Sequence, residues 1–197
     1  MHAKIVVAAT AAAIAATTAA GALAAGPEKA PKPRRAAPPA AVTRLHLTPS
    51  SPQLASCMPN ARVRITVRST VDQVGFDTFK VRARHLAPKR SFTVFLLEQA
   101  GAPFGAAEYI GDFTTNKWGN ARNTFRLIVS EAFSSTLVNG QRTRVDLNRV
   151  GVWFADPADD DFCSAAPGIN GVTPFDGDNE AGVQAFNSAN AQPLPAP

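Results

Sequence analysis

Phe92-Thr-Val-Phe-Leu-Leu-Glu98 is apolar at nearly every position rather than at alternate ones. A run this short with two apolar faces predicts a central strand buried between two layers. Two further stretches follow at once. Ala106 to Thr115 carries Tyr109, Ile110 and Phe113 and stops at Asn116-Lys-Trp-Gly-Asn120, a polar turn. Arg122-Asn-Thr-Phe-Arg-Leu-Ile-Val129 then alternates, with Asn123, Phe125, Leu127 and Val129 on one face and Arg122, Thr124 and Arg126 on the other. The three together read as an antiparallel meander.

The same reading extends outward. Arg62-Val-Arg-Ile-Thr-Val-Arg68 places Val63, Ile65 and Val67 inward, and Phe76 to Arg84 places Phe79, Val81 and Ala83 inward. Leu45-His-Leu47 is short enough to be an edge strand, ended by Pro49 and Pro52. Ser130 to Gly140 reads as a loop with a short helical turn. Thr143 to Ala155 reads as one long strand with a bulge near Asn148 to Gly151. Asp156 to Pro174 reads as a loop, and Ala181 to Asn187 as a last strand. Seven or eight short strands and no helix in the body of the chain predict an antiparallel, immunoglobulin-like β-sandwich, with a closed barrel as the alternative.

Export is read from the N-terminus. Lys4 precedes the apolar run Ile5 to Ala16, which is too short to span a bilayer, and small residues follow it. Residues 1–25 are therefore expected to be a signal peptide. No lipoprotein cysteine follows the run, and no later run is long enough to hold the chain in a membrane, so the mature protein is expected to be secreted or retained at the wall. Residues 26–43 carry five prolines and four basic residues and read as a disordered basic linker. The sandwich is expected over residues 44–188, followed by a disordered tail at 189–197. Cys57 and Cys163 are the only cysteines. In an exported chain they predict one internal disulfide, against the alternatives of free thiols or an intermolecular bridge.

Charge is unevenly distributed. Residues 62–144 hold thirteen basic and six acidic side chains, whereas residues 145–197 hold one basic and eight acidic. The basic residues keep strand parity, so Arg64, Arg82 and Arg126 fall on the solvent side of apolar strands. A face of this kind attracts anionic cell-wall or extracellular polymers, unless the acidic C-terminal loops fold back and neutralise it. Asp176-Gly-Asp-Asn-Glu180 places oxygens at alternate positions, making Asp176, Asp178 and Glu180 weak calcium candidates. The stretch departs from the EF-hand pattern at Ala181 and Asn187, and no metal or other cofactor is predicted. No nucleophile elbow or zinc spacing is present. His46 and His85 fall on a solvent face and a loop end, and Tyr109 is expected in the core or at a corner. The sequence thus favours a non-enzymatic binding module, with an envelope hydrolase as the alternative.

Several segments together carry a resemblance: Phe92-Thr-Val-Phe-Leu96, Tyr109-Ile-Gly-Asp112, Val150-Gly-Val-Trp-Phe154 and Thr173-Pro-Phe-Asp-Gly177 with Ala181-Gly-Val-Gln184. Over roughly residues 60–188 the chain resembles a group of exported actinobacterial β-proteins of unassigned function. The resemblance implies an exported β-domain and supplies no activity.

Overall fold

Among the described residues, ten strands are set by alternation and by the turns between them. The computed structural model describes residues 41–69, 76–129, 132–163 and 181–194. The predicted signal segment, residues 26–40 of the linker and the calcium candidates Asp176, Asp178 and Glu180 lie outside the described residues. The strands are β1 (Val42–Pro49), β2 (Arg62–Arg68), β3 (Asp77–Arg84), β4 (Ser91–Leu97), β5 (Ala107–Thr114), β6 (Ala121–Leu127), β7 (Phe133–Val138), β8 (Gln141–Asp146), β9 (Arg149–Phe154) and β10 (Gln184–Asn187). Eight of them form one antiparallel ladder in the order β5-β4-β9-β10-β1-β2-β3-β6, and β7 and β8 form a separate hairpin.

The ladder folds into two layers because β1 serves both. Val42 to Leu47 pair with β2, whereas Thr48 and Pro49 pair with Asn187 and Phe186 of β10. The inner faces meet in one core, with Ile65, Val67, Phe79 and Val81 from one layer and Phe92, Val94, Val152 and Phe154 from the other. Phe92 sits 4.8 Å from Phe154 and 5.3 Å from Phe113, ring centre to ring centre. The two ends of the ladder, β5 and β6, approach across a seam. There Asn123 Nδ2 donates to the Asp112 carbonyl at 2.8 Å, and the Phe125 ring lies where a side chain at Gly111 would be, with Cε1 2.5 Å from an ideal Cβ. The result is an antiparallel sandwich bordering on a barrel. Its single folded ladder differs from the two separate sheets of an immunoglobulin domain.

The two-faced burial predicted for Phe92 to Leu97 is present, but β4 lies next to the end of the ladder. Phe92, Val94 and Leu96 face the main core, while Phe95 and Leu97 join Trp153 and Ala181 in a second cluster. The loop between β4 and β5 covers this second face by laying Phe104 edge-on to Trp153, at 5.0 Å.

Several expectations are corrected. β1 is interior to the ladder, not an edge strand, because β10 pairs beyond it. Pro52 opens a short helix, α1 (Pro52–Cys57), instead of merely ending a strand: Ser51 caps it by accepting from the Leu54 amide. The stretch expected to be loop and helical turn contains β7. The long strand expected from Thr143 to Ala155 is two strands, β8 and β9, broken where buried Leu147 donates its amide to the Ala132 carbonyl. Register shifts fall on the strands flanking β9, at Val94–Phe95 and between Gln184 and Phe186, and β9 itself pairs with β4 without a shift. The expected tail begins ordered: Leu194 is buried, and its amide donates to the Asn148 carbonyl.

Candidate anionic-polymer face

The outer face of β1, β2, β3 and β6 is built by parity. Their inward residues are apolar, so the alternate positions must face water. His46, Arg64, Arg82 and Arg122 stand directly opposite one another on consecutive strands. Arg62 faces Arg84 in the next row. On the other side of the row lie Arg44, Thr66, Lys80 and Thr124, and then Arg68, Thr78 and Arg126. All the basic members are exposed. Neighbours in a row are about 4.8 Å apart and rows about 6.8 Å apart in such a sheet.

Two depressions lie at the dense end of this array. One, of ≈270 Å³, is lined by His46, Arg62, Val63, Arg64, Arg82 and Arg84. The other, of ≈520 Å³, is lined by Arg82, Ala83, Arg84, His85, Ala121 and Arg122, with Asn116 and Asn120. Both are lined by Arg82 and Arg84 and so adjoin; together they make up the basic trough. Its wall is the β5–β6 turn, shaped by Asn116, whose Oδ1 accepts from the amides of Trp118 (2.9 Å) and Asn120 (3.0 Å). Gly119, at φ 72, closes this turn onto the preceding loop, where its carbonyl accepts from the Leu86 amide at 3.0 Å. Buried Thr115 ties the two loops together by donating to the Ala87 carbonyl at 2.6 Å and accepting from the Arg90 amide at 3.0 Å.

The strands of this face carry almost no negative charge. Asp77 is the only carboxylate in the four strands. It is buried and accepts from the Val129 amide at 2.9 Å. Three of the described C-terminal acids have other partners. Asp159 pairs with Arg90 at 2.6 Å, Asp156 caps its own turn at the Ala158 amide, and buried Asp160 accepts from the Val183 amide at 2.6 Å.

The structure brings Arg64 and Arg82 together but leaves Arg126 two rows away, opposite Thr78. The residues that complete the cluster are Arg62, Arg84 and Arg122. Parity marks all three as outward and by itself puts Arg84 beside Arg82, but only register brings Arg62 and Arg122 there. His46 lines the trough, and His85, at φ 56, stands at its rim. No described carboxylate or hydroxyl bonds either imidazole. Tyr109 is neither core nor corner: it is 54% exposed on β5 and donates to Asp112 Oδ2 at 3.0 Å. Partial burial, and then the hydrogen bond and charge of Asp112, hold its phenol above the ordinary value of 10.0. Among the described residues, no group of three or more His, Cys, Asp or Glu side chains is placed to hold a metal ion.

Cys57 and Cys163 are joined, with their Cα atoms 5.5 Å apart. The bridge fastens α1 to the second of two 3₁₀ turns beyond β9, Asp161–Cys163. No helix among the described residues is long and apolar enough to cross a membrane. Comparison with protein-family models, curated proteins and solved structures finds no significant match to this chain.

Proposed function

We propose that this is an exported, non-enzymatic binding module whose basic sheet face holds anionic polymers of the cell wall or extracellular space. One observation carries the reading. Arg64, Arg82 and Arg122 stand abreast on three strands with no described carboxylate among them. Like charges placed directly opposite destabilise a sheet, so an anion bound across such a row would offset its repulsion. Eight of the nine cationic side chains in the array other than His46 are arginine, whose planar fork matches phosphate, sulfate and carboxylate groups. No Phe, Tyr or Trp lines the trough, which favours recognition of the anionic groups over stacking of bases. The signal-like N-terminus and the disulfide support an extracellular setting.

Retention on heparin or purified wall polymer tests this. It should weaken steeply with salt, because surface charges are screened within about 8 Å at physiological ionic strength. Arg82→Ser should release the polymer at lower salt than Arg126→Ser, since only Arg82 stands between two arginines. Equal effects, or retention that follows the Lys29–Arg35 segment alone, would remove the sheet face from the reading.

A further inference from the structure

The hairpin formed by β7 and β8 is separate from the trough. Neither strand pairs with the eight-stranded ladder, and a lone two-stranded hairpin is marginal in water. Its turn is Asn139-Gly140, with φ 52 and 79. The two residues before the turn are apolar and exposed, Leu137 at 65% and Val138 at 49%. As neighbours in a strand they point to opposite faces. A flat protein surface covers one of them, whereas a fluid apolar phase surrounding the tip covers both.

The arginines behind the tip are arranged to suit such a phase. Arg142 lies directly across from Leu137, yet its Nη1 reaches back to Ser135 Oγ at 3.1 Å, away from the turn. Arg144 lies over the Phe133 ring, 4.2 Å from its centre, with Nε bonded to Asp146 at 3.1 Å. Both guanidinium groups are therefore withdrawn towards the base of the hairpin, leaving Leu137 and Val138 beside the uncharged Asn139 and Gln141. This is how arginine stems lie against apolar surface while their heads stay with water or phosphate. The levels of Leu137 and Val138 differ by only about 3.4 Å along the strand, within the roughly 5–10 Å depth of interfacial burial in a bilayer.

We propose that this hairpin tip inserts into the interface of an anionic phospholipid bilayer, with Leu137 and Val138 among the upper acyl chains and Arg142 and Arg144 at the lipid phosphates. The full chain is tested with vesicles of phosphatidylcholine, with and without phosphatidylglycerol. Trp118→Phe/Leu137→Trp reports the tip directly. Its emission should shift to the blue with vesicles containing phosphatidylglycerol. Leu137→Ser/Val138→Ser should bind those vesicles roughly tenfold more weakly while keeping its heparin retention. Arg82→Ser/Arg122→Ser should still show the tip's dependence on Leu137 and Val138, which separates this site from the trough. Absence of vesicle binding, or binding with no blue shift, overturns the proposal. So does a shift that appears without vesicles and grows with protein concentration, which would place a second copy on the tip.

Discussion

Arg82 has an arginine directly opposite it on each side, Arg64 on β2 and Arg122 on β6. Its own interactions in the free protein are therefore repulsive, and its cost to the fold depends on salt. Arg82→Thr should raise the melting temperature at low ionic strength, with the gain fading as salt is added. The same variant should hold anionic polymer less well, so stability and binding change in opposite directions. A lower melting temperature at every salt concentration would show that the aliphatic stem of Arg82, not its charge, governs its contribution. Tyr109 offers a second reading at this scale, because it is the only tyrosine in the chain. Its ultraviolet ionisation should have a midpoint above 10. The neutral phenol is favoured in the folded state, so this group's stabilisation is complete below the unfolded value and declines as pH rises through the folded one. Asp112→Asn should lower the midpoint, though not fully to the ordinary value, because burial remains. An unchanged midpoint would mean that Asp112 does not act on the phenol. The exposure of Tyr109 was not legible in its sequence, since one aromatic residue near a glycine fits a core, a corner or a surface. What decides it is the register shift beside Gly111, where Val94 pairs with Gly111 but Phe95 with Tyr109.

At the scale of elements, β2, β3 and β6 could be read directly because each has one wet and one dry face, which imprints a period of two. β4 could be read because both of its faces are dry. The stretch around β7 to β9 misled for the opposite reason. β7 and β8 are exposed on both faces, so burial leaves no alternation there. Their signal was local, in the Asn139-Gly140 turn, a pair suited to positive φ at successive positions. α1 had a similar local mark in Ser51-Pro52, but six residues are too few to show a helical period. The role of β1 could not be read at all, because its second partner, β10, comes from the far end of the chain. The basic trough was half legible: parity sorted the arginines onto one face, and pairing between distant strands decided which of them touch. Its wall depends on Gly119. A Cβ there would collide with the Leu86 carbonyl at a φ of 72. Gly119→Ala should therefore cost on the order of 2 kcal/mol, read as a lower melting temperature, and should weaken polymer retention beyond what the destabilisation explains. Retention and melting temperature both matching the parent would show that the turn yields freely.

At the scale of the whole molecule, the fold is a ladder bent into two layers, and its closure is uneven. On one side β1 carries continuous pairing from layer to layer. On the other, β5 and β6 meet through Asn123 and through Phe125 against Gly111. The disulfide acts across a different span, joining residues 106 apart in sequence. The chain-entropy view assigns a loop of about this size roughly 4.7 kcal/mol. Reduction should lower the melting temperature markedly, and unchanged melting after verified reduction would show that the bridge contributes little. The closed loop also contains β2 to β9. Any single backbone cut between Cys57 and Cys163 therefore opens a ring without releasing a piece. After limited proteolysis within that span, the protein should migrate as one species on a denaturing gel without reductant and as two fragments with it. Outside a cell, where proteases act on the intact protein, a nicked molecule would keep both halves of its basic face on the same covalent body.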